Sequence, residues 1–279
     1  MIWLKGFATL KIALFLVFAV PLYAILPLLF WNLAPDWHFF KGASKGSLVA
    51  VFSLLLLSHY FLKIENKTLT EIGIEWKYKR LIQLILGIIL GIAINTAISF
   101  SLSYFFRFEW HLNPDLNFGV ILTGLFLNCW SAIAEELIYR GCAFKATIDK
   151  FGNTNAVVLF ISIFAVIHIF AWGAWGDPVK MLSVFCTTGL GGLLFSIAFI
   201  KTKSIALPSG LHMGFIWANA DFFTGMFARW YDNKQGLFIP INTAYYEHFS
   251  QNGWFIINLP YCLVLLITIF IFSSVLKEA

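Results

Sequence analysis

Charged side chains are scarce in this chain: Asp, Glu, Lys and Arg make up only 12% of its 279 residues, while hydrophobic residues make up 60%. A typical globular chain is about 25% charged and about 45–50% apolar. A soluble domain of this length could not bury so much apolar surface in one core, so much of that surface must face lipid. The scarcity of charge therefore excludes an ordinary soluble protein.

Cysteine is also sparse, and no two cysteines have the CxxC spacing of a metal or redox site. The four are Cys129, Cys142, Cys186 and Cys262. Each lies in or at the end of an apolar stretch, so we interpret them as small buried hydrophobic residues. The chain likewise contains no HExxH sequence, internal repeat or low-complexity segment.

What the chain does contain is a series of long apolar stretches, each close to the roughly 20 residues that a membrane-spanning helix needs. They predict spans near residues 7–31, 46–62, 81–106, 118–143, 156–172, 181–200, 205–225 and 254–276. The expected fold is all-α: a polytopic integral membrane bundle of about eight transmembrane helices. Residues 1–279 are expected to form this single transmembrane domain.

The distribution of cations predicts the orientation of this bundle. Both termini and the loops after the second, fourth and sixth spans share one side, which carries 12 of the 19 Lys and Arg residues; the other side carries 6. Cytoplasmic loops are enriched in Lys and Arg, so we predict that both termini are cytoplasmic. A bacterial plasma membrane is the expected location. The same bias explains the net charge of +5, and nucleic acid is not an expected partner.

Ionisable residues inside the predicted spans are few. The fourth span contains Glu135, Glu136 and Arg140, the fifth contains His168, and the seventh contains His212. Such residues are functional-site hypotheses because the bilayer penalises them. Glu136 and Arg140 are four residues apart and should pair on one helix face. Glu135 lies about 100° round the helix, which leaves it free to point into the bundle as the candidate reacting carboxylate.

The predicted depths of these groups are similar. Counted from the expected cytoplasmic ends, Glu135, His168 and His212 lie about 12, 20 and 12 Å inward at 1.5 Å per residue. Two chemistries remain open for such a set. Glu135 with His168 can deprotonate a water while His212 donates to an oxyanion, or Glu135, His168 and His212 can bind a zinc ion that activates the water.

Two further features of the spans have plainer interpretations. The pairs Gly87/Gly91 and Gly210/Gly214 have GxxxG spacing, which allows close approach of helices. Asp221 lies nine residues beyond His212, about 14 Å along a helix, and is expected to face water at the outer interface.

As a set, the ionisable residues resemble the CPBP group of CAAX prenyl endopeptidases and bacteriocin-processing enzymes, also called the Abi family of glutamic intramembrane proteases. Glu135, Glu136 and Arg140 match its EExxxR motif, and Phe164 with His168 matches FxxxH. His212 matches the histidine of the third motif. The resemblance covers roughly residues 60–225, with residues 1–59 and 226–279 as flanking spans and loops.

One position departs from the family pattern. The third motif has Asn or Asp four positions after the histidine, and this chain has Ile216 there. Asn219, seven residues after His212 and nearly on the same face, is a secondary site candidate. In the family, this motif helps to stabilise an oxyanion. Here Trp217 could take that role in place of Asn219, or His212 could act alone.

The resemblance implies an intramembrane endopeptidase in which Glu135 is the catalytic base and His168 its partner on the water. Glu136 and Arg140 would hold that arrangement, and His212 would face the oxyanion. The implied partner is a membrane-embedded or membrane-associated peptide, either a prenylated tail or a peptide precursor, within the lipid bilayer.

No cofactor is expected, and zinc bound by Glu135, His168 and His212 is the alternative. Two other functions remain open: a non-catalytic membrane immunity or scaffold protein of the same fold, suggested by Ile216, and a proton-coupled transporter. The substrate-binding residues and the oligomeric state are left open.

Overall fold

The computed structural model describes residues 2–25, 44–223, 236–245 and 253–275, most of them in α-helices. The helices are α1 (Ile2–Ala24), α2 (Ser44–Lys63), α3 (Tyr78–Phe106), α4 (Phe118–Tyr139), α5 (Cys142–Phe151), α6 (Asn153–Ala171), α7 (Pro178–Thr202), α8 (Ala206–Trp217) and α9 (Trp254–Val275). A short 3₁₀ turn, Leu69–Ile72, precedes α3, and a π-helical turn, Ala218–Phe222, follows α8. Two short strands, β1 (Glu109–Leu112) and β2 (Phe238–Ile241), pair antiparallel.

Several described helices are long and apolar enough to cross a membrane. They are α3, α4 continued through α5 as Phe118–Phe151, α6, α7, and the segment Ile256–Val275 of α9. The apolar segments Thr9–Ala24 and Leu48–Lys63 are shorter, and α8 has only 12 residues. A helical, multi-pass membrane protein is therefore supported, while the number of about eight spans stays a prediction.

Two predicted spans are interrupted in the structure. The span over 118–143 ends as helix α4 at Tyr139, because Arg140 and Gly141 leave the helical conformation before α5 begins. A Cβ at Gly141 would collide with the carbonyl oxygen of Leu137, so this turn requires glycine. The span over 205–225 ends as helix α8 at Trp217 and continues in the π-helical turn. Residues 26–31, 224–225 and 276 of the predicted spans lie outside the described residues.

At one end of the bundle, α1 and the segments after α2, α4 and α7 lie close together. Lys11 of α1 contacts Glu65 after α2, and Lys67 contacts both Glu65 and Asp149 of α5. The backbone N–H of Ile205, which follows α7, donates to Ile72 O at 2.9 Å. This end, called here the charged end, carries the salt bridges between these loops. Which compartment it faces stays a prediction.

The buried apolar residues form two large clusters. One is built mainly by α1, α2, α4, α5 and α6, and the other by α3, α7, α8 and α9. Helix α4 of the first cluster meets α7 and α8 of the second. There the buried Arg140 contacts Gly192 of α7, and the buried Glu136 contacts His212 of α8. The junction of the two clusters is therefore the place to look for a site.

The two GxxxG pairs pack against each other and join α3 to α8. A Cβ at Gly91 would collide with Leu211 O, and one at Gly214 would collide with Ile88 O. Only hydrogen atoms fit where the two backbones meet, so glycine is required on both helices. Helix α8 is thereby held against α3 through one face, which leaves its opposite face directed at α4.

Candidate active site

A buried charged pair lies at the C-terminal end of α4 and forms the floor of the site. Arg140 Nη1 donates to Glu136 Oε1 at 3.2 Å, and both side chains have 0% exposure. Arg140 Nη2 donates to the carbonyl oxygen of Gly192 in α7 at 2.8 Å. The spacing of four residues predicts this pair, and the contact with α7 shows why the guanidinium can be buried: its charge and two of its donor atoms are satisfied.

His212 lies between the two glycines that pack on α3, and its side chain points the other way. Two residues turn a helix by about 200°, so a face opposite Gly210 and Gly214 meets α4. There His212 Nδ1 lies 2.9 Å from Glu136 Oε1. The imidazole also stacks on Phe195, with ring centroids 4.8 Å apart. The glycine contact and the aromatic ring together fix the orientation of this histidine.

Glu135 faces the same histidine from the neighbouring position of α4. Its Oε2 lies 3.8 Å from His212 Nε2, and within the described part of the chain this buried oxygen accepts no hydrogen bond. Its Oε1 accepts a hydrogen bond of 2.7 Å from the hydroxyl of Tyr23 in α1. The Tyr23 hydroxyl lies 3.0 Å from Ser131 Oγ. One carboxylate oxygen is thus occupied, while the other faces His212.

His168 lies beside this group on α6. Its Nδ1 lies 2.8 Å from the carbonyl oxygen of Phe164, one turn earlier, and its ring packs against the Phe164 ring at 4.3 Å. The Phe164 ring lies 6.4 Å from that of His212. Phe164 therefore packs beside both histidines.

These hydrogen bonds determine which ring nitrogens carry protons. The ionised carboxylate of Glu136, which pairs with Arg140, can accept hydrogen bonds but cannot donate them. The same is true of the carbonyl oxygen of Phe164. In the neutral forms His212 and His168 must therefore carry their N–H at Nδ1, which leaves Nε2 as an acceptor. His212 can donate to an oxyanion from Nε2 only as an imidazolium.

The positions tied to the third motif lie apart from this group. Ile216 is half-buried in α8, and Asn219 lies in the π-helical turn. Among the described residues, Asn219 makes no hydrogen bond to His212. Trp217 Nε1 donates instead to Ile121 O of α4 at 2.8 Å. The structure therefore brings Glu135, Glu136, Arg140 and His212 into direct contact, with His168 beside them, but not Asn219.

The prediction that Asp221 faces water is wrong. Asp221 is buried, with 8% exposure, and its carboxylate accepts a hydrogen bond of 3.2 Å from Asn128 of α4. A π-helical turn inserts an extra residue, so side chains beyond Trp217 leave the direction that a continued α-helix would give them. Gly124 provides the space, since a Cβ there would collide with the Asp221 carboxylate.

Tyr23 is the site residue that the sequence analysis missed. It lies 112 positions before its partner Glu135, so no local motif connects them. The one available signal is a polar hydroxyl at the end of the apolar second half of α1, which is also typical of a tyrosine at a membrane interface.

The zinc alternative requires Glu135, His168 and His212 around one ion. In the residues that the structure describes, no three His, Cys, Asp or Glu side chains form a group that could hold a metal ion. A mechanism without a metal nevertheless stays a prediction.

Comparison with protein families gives a match over the segment that contains the site. Residues 117–218 match the family described as type II CAAX prenyl endopeptidase, Rce1-like. The matched segment begins at the N-cap of α4 and ends where the π-helical turn begins. It contains Glu135, Glu136, Arg140, His168 and His212, and it supports the CPBP family assignment that the motifs predict. No curated protein and no solved structure matches the chain.

Proposed function

Because residues 117–218 match the type II CAAX prenyl endopeptidases, we propose that this protein is an intramembrane endopeptidase. It hydrolyses a peptide bond in a membrane-embedded or membrane-associated peptide. The observation that carries the proposal is the approach of Glu135 Oε2 to His212 Nε2, 3.8 Å apart, above the buried Glu136–Arg140 pair.

Glu135 is the general base in this proposal. Its Oε2 takes one proton from a water molecule as the water oxygen attacks the carbonyl carbon, and the carbonyl electrons move onto oxygen. The protonated Glu135 then gives that proton to the leaving nitrogen as the C–N bond breaks. The other hydrogen of this water is accepted by Nε2 of His168, while Nε2 of His212, 3.8 Å from Glu135 Oε2, faces the carbonyl oxygen.

The two histidines share the remaining work. His168 is the partner of Glu135 on the water, and His212 faces the oxyanion. Because His212 Nδ1 donates to Glu136, His212 stabilises the oxyanion as an imidazolium, whose second proton, on Nε2, is taken from solvent before the water attacks and is returned after product release. Asn219 remains a secondary candidate for this task if the π-helical turn moves on substrate binding.

Glu136 and Arg140 act as positioning residues. Arg140 connects α4 to the backbone of α7, and Glu136 connects α4 to His212 of α8. Catalysis depends on holding groups in near-attack geometry, and this pair links the helices that carry the reacting groups. No metal or other cofactor takes part in this proposal.

The location of the site supports a membrane peptide as the substrate class. A carboxylate and imidazoles buried within apolar helices are accessible to a peptide that enters through the membrane, such as a prenylated tail or a hydrophobic precursor. We propose a bacterial plasma membrane in which the charged end and both termini are cytoplasmic. Cleavage would then occur in the half of the bilayer near the charged end.

A second candidate function rests on Ile216. The family motif has Asn or Asp at this position, and an isoleucine there cannot donate or accept a hydrogen bond. A membrane immunity or scaffold protein that retains the fold and the ion pair but does not turn over a substrate is the function that this departure favours.

One experiment decides between the two. Membrane peptides are compared by mass spectrometry in cells that lack the protein and in cells that express wild type, Glu135→Gln, His168→Ala or, as the matched control, Glu71→Gln on the surface. We expect cleaved peptides only with wild type and Glu71→Gln, because loss of a general base reduces rate by about 10²–10⁴-fold. Identical peptide profiles for wild type and Glu135→Gln would reject the protease and favour the second candidate.

A further inference from the structure

We propose that Tyr23 is a positioning residue for Glu135, supplied by a helix that lies outside the matched segment. The inference rests on the proposed function. Tyr23 belongs to α1 (Ile2–Ala24), whereas the family match covers residues 117–218. The Tyr23 hydroxyl nevertheless makes the one hydrogen bond that Glu135 accepts from a side chain among the described residues, at 2.7 Å.

The bond distinguishes the two oxygens of the carboxylate. Tyr23 donates to Oε1, while Oε2 is directed to His212 and accepts no hydrogen bond in the part of the chain described. A carboxylate without this bond could rotate and present either oxygen. The hydroxyl of Tyr23 therefore selects the oxygen that faces the water and keeps it at a fixed position.

The tyrosine is in turn oriented by α4 itself. Its hydroxyl hydrogen goes to Glu135, so the contact of 3.0 Å with Ser131 Oγ requires the serine hydroxyl to donate to Tyr23. Ser131 is four residues before Glu135 and lies on the same face of the helix. The result is a directed chain of hydrogen bonds from Ser131 through Tyr23 to Glu135.

The depth of Tyr23 argues against an interfacial role. Lys11 pairs with Glu65 at the charged end, and Tyr23 follows twelve residues later, about 18 Å further along the helix. Between them, Phe15 and Ala19 of α1 are buried in the first apolar cluster. A hydroxyl at that depth needs a partner, and its partner is the candidate base.

The test compares Tyr23→Phe, which keeps the ring and removes the hydroxyl, with Tyr60→Phe on the exposed face of α2, where the tyrosine is 62% exposed. The probe is a farnesylated CAAX peptide carrying a fluorophore and a quencher, cleaved by purified full-length protein in lipid nanodiscs. We expect Tyr23→Phe to lower kcat by about 10- to 100-fold with KM unchanged, and Ser131→Ala to lower it less. Tyr60→Phe should match wild type.

A second measurement does not depend on the substrate. A lipid-soluble carbodiimide labels accessible carboxyl groups, and mass spectrometry reports the labelling rate at Glu135 and at the surface carboxylate Glu71. We expect Tyr23→Phe to label faster at Glu135, because Oε1 is no longer occupied, with no change at Glu71. If the wild type does not cleave the farnesylated probe, the labelling rate at Glu135 alone tests whether Tyr23 positions this carboxylate.

The outcomes separate the inference from the proposed function. If Glu135→Gln cleaves as fast as wild type, the proposed function is wrong. If Glu135→Gln is inactive while Tyr23→Phe keeps the wild-type kcat and the wild-type labelling rate at Glu135, only the role of Tyr23 is wrong. A Tyr23→Phe protein that loses kcat merely in proportion to its loss of folded protein, measured by thermal melting, would also overturn it.

Discussion

Two acid–base pairs with the same spacing of four residues lie on neighbouring helices and occupy opposite environments. Glu136 of α4 and Arg140, which directly follows α4, are 3.2 Å apart with both side chains at 0% exposure. Lys145 and Asp149 of α5 are closer, at 2.6 Å, yet their side chains are 23% and 39% exposed. The shorter contact is the weaker one, because solvent screens it.

The difference shows what each pair does for the protein. An exposed pair contributes about 0.3–0.5 kcal/mol to the free energy of unfolding. Lys145 and Asp149, at the charged end, therefore add little to stability. The buried pair cannot be separated without leaving a charge in an apolar interior. Its partners are Gly192 on α7 and His212 on α8. They are needed to keep the buried charges satisfied, so their hydrogen bonds hold α7 and α8 against α4.

The largest effect should come from breaking the buried pair. Arg140→Met leaves Glu136 buried without its cation, and we expect the free energy of unfolding to fall by about 3–5 kcal/mol. Thermal and denaturant unfolding in detergent micelles measure the change. Lys145→Met, the matched control on α5, should stay within about 0.5 kcal/mol of wild type. Equal effects of the two substitutions would contradict the distinction between the pairs. In the double variant, Glu136→Gln removes the unpaired charge, so it should recover part of the free energy of unfolding that Arg140→Met loses.

An intermediate effect should come from moving the helix that supplies His212. A Cβ at Gly210 would collide with Leu84 O of α3, and overpacking of this kind costs about 1–3 kcal/mol. Gly210→Ala should lower both the melting temperature and the cleavage rate, since α8 must shift relative to Glu136. Gly191→Ala in α7 is the control, because no atom lies within 4 Å of a Cβ there. Unchanged cleavage by Gly210→Ala would show that His212 does not depend on the α3 contact.

The smallest effect should appear at the charged end and only as a function of pH. Partial burial alone would raise the pKa of Glu65, but hydrogen bonds from Lys67 and Lys11 lower this pKa below its ordinary value. The unfolded chain then binds the proton more readily, so the stabilisation is present at neutral pH and is lost as the pH falls through the folded-state pKa. We expect Glu65→Gln to be slightly less stable than wild type at pH 7 and equal to it in acid. Melting curves from pH 7 to pH 3 measure this difference, and a constant gap would contradict it.

The sequence predicts the features of this protein that depend on local spacing. Apolar stretches predict the helical membrane class, because each helix satisfies its own backbone within lipid. The spacing of four between Glu136 and Arg140 predicts their contact, since it corresponds to about one helical turn. The glycine pairs predict close helix approach, although their spacing alone does not show that Gly87 and Gly91 meet Gly210 and Gly214.

The features that were missed depend on contacts between distant segments or on interruptions of regular helix. Tyr23 reaches Glu135 across 112 residues, and only the packing of α1 on α4 brings them together. The end of α4 at Tyr139 depends on the close approach of Gly141 to the Leu137 carbonyl. The π-helical turn directs Asp221 inward, whereas a prediction from regular helical geometry directs it to water.

The glycine contact between α3 and α8 also limits how the bundle can open. Where backbone meets backbone there are no side chains to change rotamer or to slide past one another, so we expect the two helices to move as one rigid body. A peptide that arrives laterally from the bilayer must then pass between other helices. The entrance to the site should therefore be sought where α8 does not face α3, along seams whose large side chains can rearrange.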